Sequence, residues 1–165
     1  MKLALKWFVP ITLVAMGLAW VSEQIVVLLG FDLPSPQPLV QLFTDPNVPW
    51  PRKMKYAAFA VVAAPIVEEI IFRMGMFNLF VWLGRRYIAS AATRTGFPLV
   101  AALLSGVVFA VVHLHAATFV PLWFLGVAFA CLYWKGGTIR ASMLAHFLFN
   151  LINLSLCLFI GAGEM

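Results

Sequence analysis

Two adjacent glutamates, Glu68 and Glu69, and an arginine four residues further on, Arg73, interrupt an otherwise apolar segment of the chain. A charged side chain at bilayer depth costs at least ~2.5 kcal/mol, so such groups usually face a protein interior and mark a functional site. On a helix, Glu69 and Arg73 share a face and can form an ion pair. Glu68 lies about 140° around the helix from Arg73, without a local cation. It can therefore serve as a general base, or as a hydrogen-bonding group that only holds helices together.

Two further polar motifs follow in later apolar segments, Phe109-x-x-x-His113 and His146-x-x-x-Asn150. The four-residue spacing puts His146 and Asn150 on one face of a helix, and Asn153 continues that stripe. We interpret Asn153 as an ordinary interhelical hydrogen bond. A carboxylate, two imidazoles and a carboxamide that converge inside a membrane can activate a water molecule and stabilise an oxyanion. These groups are suited to acyl hydrolysis.

The composition places these residues in a membrane protein. Of the 165 residues, 64% are hydrophobic and 10% are charged, whereas a soluble domain is ~45–50% apolar. We expect an all-α bundle of transmembrane helices with the active site between helices inside the membrane. The formal charge of +5 is interpreted as membrane topology and not as a nucleic-acid surface. Cys131 and Cys157 lie in apolar runs, so no disulfide is expected.

Apolar runs separated by polar or proline-rich breaks predict about five spans. Their approximate bounds are residues 7–30, 56–83, 97–117, 118–134 and 139–161. The six prolines within residues 31–54 predict a loop without helix. The chain is thus divided into residues 1–55, with the first span and this loop, and a catalytic core of residues 56–165. The third and fourth spans are expected to meet in a tight turn near residues 116–121.

The basic residues predict the orientation. Lys2 and Lys6 precede the first apolar run, which is read as an uncleaved span because it lacks a clear signal-peptidase site. With the N-terminus inside, seven Lys and Arg residues lie on the cytoplasmic side and three lie outside. We therefore expect a multi-pass protein of the bacterial inner (plasma) membrane with a cytoplasmic N-terminus. The cytoplasmic set is Lys2, Lys6, Arg85, Arg86, Arg94, Lys135 and Arg140, and the outer set is Arg52, Lys53 and Lys55.

Taken in order, the three motifs resemble those of the CPBP family (CAAX protease and bacteriocin-processing, or Abi), which are glutamic-type intramembrane proteases. The resemblance extends from about Ala64 to Leu154, and the combination of motifs is specific where each alone is weak. It implies that Glu69 and Arg73 orient the site. The motifs are Glu68-Glu69-x-x-x-Arg73, Phe109-x-x-x-His113 and His146-x-x-x-Asn150.

The resemblance also implies the catalytic roles. Glu68 would be the general base that activates water, His113 would hold and polarise that water, and His146 with Asn150 would form the oxyanion hole. No cofactor or metal is implied. The expected geometry is that Glu68 faces His113 and the His146–Asn150 stripe across a polar cavity. His115 matches no motif position.

The leading hypothesis is an intramembrane endopeptidase that cleaves a membrane-associated peptide or protein, such as one with a C-terminal or leader sorting signal. A second hypothesis uses Glu68, His113 and His146 as ligands of a catalytic zinc ion, although the chain has no His-Glu-x-x-His motif. A third is a non-enzymatic membrane partner, such as a bacteriocin-immunity protein, that retains the polar cluster for packing. Lipid and the substrate are the expected partners, and nucleic acid is not.

Overall fold

The computed structural model describes residues 1–32, 35, 38–88 and 96–163, and side chains as far as residue 159. This part of the chain is an all-helical bundle without a strand, as expected. A short 3₁₀ turn, Ala116–Thr118, joins α4 to α5. The helices are α1 (Lys2–Leu28), α2 (Pro38–Thr44), α3 (residues 50–87), α4 (Phe97–Val111), α5 (Phe119–Gly136) and α6 (Ile139–Gly163).

Three helical segments of the described chain are long and apolar enough to cross a membrane by length and composition: Lys2–Leu28, Ala116–Gly136 and Ile139–Phe159. Phe97–Val111 is a shorter apolar helix. The second predicted span, residues 56–83, lies within α3, whose helical type changes along its length. Each of the five predicted spans therefore corresponds to one helix.

Helix α3 changes from α to π geometry twice, at Phe59–Ala63 and at Ile70–Phe77. The α-helical turn between them, Ala64–Glu69, carries both glutamates. In the first π segment the Ala64 N–H bonds the Phe59 carbonyl five residues back. The next residue is Pro65, which has no N–H to give, so the Ala60 carbonyl loses its π-type donor. The sequence thus leaves a carbonyl without a backbone donor about two turns before the glutamates.

Side chains from other helices bond both π segments. The Asn150 amide on α6 donates to the Ala60 carbonyl at 2.9 Å, and the Ser105 hydroxyl on α4 donates to the Phe72 carbonyl at 3.0 Å. Ser105 is fully buried, so its hydroxyl needs such a partner. These two bonds fix the position of α3 against α4 and α6.

Helices α4 and α5 approach each other to backbone contact. A Cβ atom placed on Gly126 would lie 2.7 Å from the Gly106 Cα atom. Small residues allow this close packing of membrane helices. Phe109 of α4 and Phe129 of α5, both buried, each contact the polar cluster. On the other side, α1 packs against α5 and α6.

The prediction of a helix-free loop over residues 31–54 was wrong in two places. Helix α2 begins at Pro38, and α3 begins at Trp50, six residues before the predicted span. Proline is compatible with the first turn of a helix because the N–H groups there have no helical acceptor. Pro49 accordingly precedes α3 and Pro51 lies in its first turn.

The turn between the third and fourth spans begins earlier than predicted. Helix α4 ends at Val111 and not near residue 117. Leu114, three residues beyond the end of this helix, has a left-handed backbone conformation, with φ of 51°. A bulky residue rarely adopts this conformation, so the end of the helix could not be predicted from the residue types.

Candidate active site

A fully buried ion pair forms the base of the site. Arg73 Nε lies 3.2 Å from Glu69 Oε2, at the four-residue spacing that the sequence predicted, and neither side chain has any exposed surface. The guanidinium carbon lies 4.9 Å from the Phe109 ring centre and 5.5 Å from that of Phe129. Its Nη2 atom approaches the Gly126 carbonyl at 3.5 Å. A carboxylate and aromatic faces thus replace the water that this cation would otherwise have.

The imidazole of His146 lies between two carboxylates. Its Nδ1 atom is 2.9 Å from Glu69 Oε1, and its Nε2 atom is 3.7 Å from Glu68 Oε2. An ionised carboxylate only accepts hydrogen bonds, so Nδ1 carries a proton and donates to Glu69. The ring stacks on Phe129 at 4.9 Å and meets the edge of Phe109 at 5.9 Å. One orientation of the imidazole is therefore fixed, with Nε2 directed at Glu68.

Glu68 differs from its neighbour in exposure. Its side chain is 27% exposed, whereas that of Glu69 is completely buried. The 3.7 Å distance from Glu68 to His146 exceeds that of a direct hydrogen bond and leaves space for a polar atom to bind both groups. Of the two carboxylates, Glu68 alone is accessible to a reacting molecule.

His113, just beyond the end of α4, packs on Phe109. Its Nδ1 atom donates to the Phe109 carbonyl oxygen at 2.7 Å, since a carbonyl oxygen cannot donate. The two rings are 4.8 Å apart, and Phe109 in turn contacts the ring of His146. In the neutral ring Nε2 is then an acceptor. Within the described residues, no hydrogen bond joins His113 to Glu68.

Asn150 lies one turn beyond His146 on α6, and its amide bonds the Ala60 carbonyl on the helix that carries Glu68. The amide has a second N–H group for which the described residues offer no acceptor. Asn153 does not make the predicted interhelical bond. Its amide donates to the Phe149 carbonyl of its own helix at 2.9 Å, because a carboxamide on a helix can reach back to the carbonyl four residues earlier.

His115 is separate from the site. Its Nε2 atom bonds the Ser35 carbonyl at 3.2 Å, and its Nδ1 atom lies 3.2 Å from the Thr118 hydroxyl. This histidine therefore connects the α4–α5 turn to the segment between α1 and α2. Its role is consistent with its lack of a motif position.

The sequence also contained residues of this site that the motifs did not reveal. Phe129 stacks on His146 and faces Arg73, but an aromatic residue in an apolar helix carries no distinguishing signal. Pro65 did carry one, because a proline within a helix leaves a carbonyl without its donor. The acceptor it creates orients Asn150.

The three residues of the zinc hypothesis do not converge as ligands. Residues 1–32, 35, 38–88 and 96–159 hold no group of three His, Cys, Asp or Glu side chains arranged to bind a metal ion. Nδ1 of His113 bonds the Phe109 carbonyl, and Nδ1 of His146 bonds Glu69. The ring of Phe109 contacts both imidazoles.

Comparison with known proteins adds one match. A family model described as "Type II CAAX prenyl endopeptidase Rce1-like" matches residues 50–152. The matched range begins with α3 and extends into α6, and it includes every candidate site residue. No curated protein and no solved structure matches the chain.

Proposed function

Because this chain belongs to the Rce1-like family of type II CAAX prenyl endopeptidases, we propose that it hydrolyses peptide bonds within the membrane by a glutamic-type mechanism. The observation that carries the proposal is the contrast between two adjacent acids. Glu69 is buried and holds His146 at 2.9 Å, while Glu68 is accessible and lies 3.7 Å from the other nitrogen of the same ring. One acid orients the imidazole, and the other is free to react.

The proposed mechanism uses the form of His146 that is protonated on both ring nitrogens. Glu68, Glu69 and Arg73 together carry one net negative charge, which is costly in an apolar bundle. A proton on His146 Nε2 makes the set neutral. That nitrogen then becomes an N–H donor beside the Glu68 carboxylate, so a base and an oxyanion donor occupy the same opening.

The reaction follows from this pairing. A water molecule bound by Glu68 and by His113 Nε2 loses a proton to Glu68 as its oxygen attacks the carbonyl carbon. The carbonyl π electrons move to oxygen, and His146 Nε2–H donates a hydrogen bond to the resulting oxyanion. As the tetrahedral intermediate collapses, the C–N bond breaks and Glu68 passes its proton to the leaving nitrogen. One water is consumed, and a carboxylic acid and an amine are formed.

Asn150 supplies the second donor of the oxyanion hole. Its bond to the Ala60 carbonyl uses one amide N–H and fixes the plane of the group. The other N–H is left for the oxyanion. A donor oriented before the substrate arrives does not have to reorganise during the reaction, which is the source of its catalytic effect.

The substrate of this reaction is a membrane-associated peptide or protein, and a C-terminal or leader sorting signal has the required form. The catalytic core of residues 56–165 lies in a bacterial inner membrane, with the N-terminus in the cytoplasm, in keeping with the seven basic residues on that side. Neither cofactor nor metal takes part in the steps above.

The test compares Glu68→Gln with Glu23→Gln in cells. Glu23 is an exposed glutamate on α1, so its variant makes the same chemical change away from the site. New peptide termini in the membrane fraction are measured by mass spectrometry against cells without the protein. We expect Glu68→Gln to lower their formation by roughly 10²-fold or more, and Glu23→Gln to leave it unchanged. Undiminished cleavage by Glu68→Gln would refute the mechanism.

A further inference from the structure

A cavity lies at the far end of α3, between that helix, the start of α4 and the end of α5. Its volume is about 230 Å³. Asn78, in its wall, is ten residues beyond Glu68, up to about 15 Å along the helix, so the cavity is separate from the candidate active site. Its walls are formed by Phe77, Asn78, Val81, Arg85, Pro98, Tyr133, Trp134 and Gly137.

The cavity contains hydrogen-bond donors for which the described residues provide no acceptor. The Asn78 amide donates to the Tyr133 hydroxyl oxygen at 2.9 Å, which leaves the hydroxyl proton free for a ligand. Tyr133 is held by an edge-to-face contact with Phe77, at 5.7 Å. Arg85 forms no ion pair with any carboxylate in the part of the chain that the structure describes. A cation and a hydroxyl donor in one cavity select an anion.

The end of the bundle around this cavity carries only positive charge. Leu3 packs near Gly136 and Phe97 packs on Gly84, so the corresponding ends of all five long helices lie together. Six basic residues occur in these ends: Lys2, Lys6, Arg85, Arg86, Lys135 and Arg140. The five described carboxylates all lie in other segments, at Glu23, Asp32, Asp45, Glu68 and Glu69.

We propose that this cavity binds the phosphate of an anionic phospholipid headgroup. Arg85 pairs with the phosphate, because a guanidinium can donate two parallel hydrogen bonds to it, and the Tyr133 hydroxyl donates a further one. Trp134 beside them is a residue typical of the headgroup level of a bilayer. Basic pockets between helices on the positive side of a membrane protein bind acidic headgroups of this kind.

The size of the cavity agrees with a headgroup and not with a whole lipid. A cavity of about 230 Å³ admits a phosphate and the neighbouring glycerol carbons. The acyl chains would then lie outside, along apolar side chains next to the wall. Trp82 and Leu99 are such residues, and they are 56% and 50% exposed.

The chain offers a matched pair of arginines for the test. Arg85 lines the cavity, and Arg86 follows it at the same end of α3 without doing so. Binding of fluorescent phosphatidylglycerol to the full-length protein in a neutral detergent is measured for wild type, Arg85→Gln and Arg86→Gln. We expect Arg85→Gln to weaken binding roughly fivefold or more, and Arg86→Gln to weaken it less than twofold. Phosphatidylcholine, which is zwitterionic, should bind more weakly than phosphatidylglycerol.

Tyr133→Phe is the second variant, because it keeps the ring contact with Phe77 and removes only the hydroxyl. We expect it to weaken lipid binding severalfold even if Arg85→Gln does not fold. Equal effects of Arg85→Gln and Arg86→Gln would mean that surface charge in general, and not this cavity, determines lipid binding, and would overturn the proposal. Glycerol phosphate that displaces the lipid at equal concentration would also overturn it, in favour of a soluble phosphate ester. Substrate cleavage, which depends on Glu68, provides a separate readout.

Discussion

Replacing each of the two adjacent glutamates by glutamine should produce opposite defects. Glu68→Gln changes a side chain that is 27% exposed and lies 3.7 Å from His146 Nε2. Glu69→Gln removes the carboxylate that pairs with Arg73 at 3.2 Å and accepts a hydrogen bond from His146 at 2.9 Å. The side chains of these three residues have little or no exposed surface. The first change should stop catalysis in a stable protein. The second should destabilise the fold itself.

The size of the second effect follows from what is left behind. With glutamine at position 69, Arg73 remains fully buried without its paired carboxylate. Removal of one partner of a buried ion pair costs about 3–5 kcal/mol. For a protein of this size, each kcal/mol lowers the unfolding midpoint by about 2–4 °C, so the expected fall is roughly 6–20 °C. For Glu68→Gln we expect a change of less than about 1 kcal/mol, as for an exposed polar substitution.

The free cysteines provide the assay. Cys131 and Cys157 are half-buried, so a thiol-reactive dye added to the purified protein reports unfolding as they become exposed on heating. A double variant, Glu69→Gln with Arg73→Gln, should recover much of the lost stability because no buried charge then lacks a partner. Equal destabilisation by both single variants, or a double variant no better than Glu69→Gln, would refute the reasoning.

Three further predictions concern packing and the oxyanion hole. Asn150→Ala should lower cleavage roughly 10²–10³-fold, and it leaves the Ala60 carbonyl without its donor. Adding Pro65→Ala should restore stability but not activity, because alanine at position 65 supplies a backbone N–H to that carbonyl. Gly126→Ala should lower stability by about 1–3 kcal/mol, because its new Cβ atom would lie 2.7 Å from the backbone of α4. Gly17→Ala is the control and should not lower stability, because a Cβ atom at that position has no neighbour within 4 Å. Leu114→Gly should leave the unfolding midpoint unchanged or raise it, because the left-handed conformation costs leucine about 1–2 kcal/mol. Each is measured by thermal unfolding, and the first also by cleavage.

Local spacing was sufficient to predict one part of the site. Glu69 and Arg73 are one helical turn apart, and on any regular helix that spacing brings their side chains together. The five long helices were predictable for a similar reason, since a long apolar run favours a helix. Both inferences depend only on residues close in the chain.

Relations between distant segments were not predictable in the same way. The bond between Glu69 and His146 joins residues 77 positions apart, and it depends on how far each helix is rotated about its axis. The two π segments of α3 change that rotation, and periodicity at 3.6 residues per turn does not detect them. Asn153 shows the same limit: its position on the stripe was correct, but its amide turns back to its own helix.

The geometry explains why the acids occur as an adjacent pair. An imidazole presents its two nitrogens on different edges of one ring, and neighbouring helical residues point about 100° apart. A single histidine opposite Glu68 and Glu69 can therefore contact one carboxylate through each nitrogen, as His146 does. Arg73 makes the two acids unequal, since it binds and buries only Glu69. The buried acid accepts a hydrogen bond from Nδ1. The second nitrogen and the partly exposed Glu68 are left for the roles that we propose.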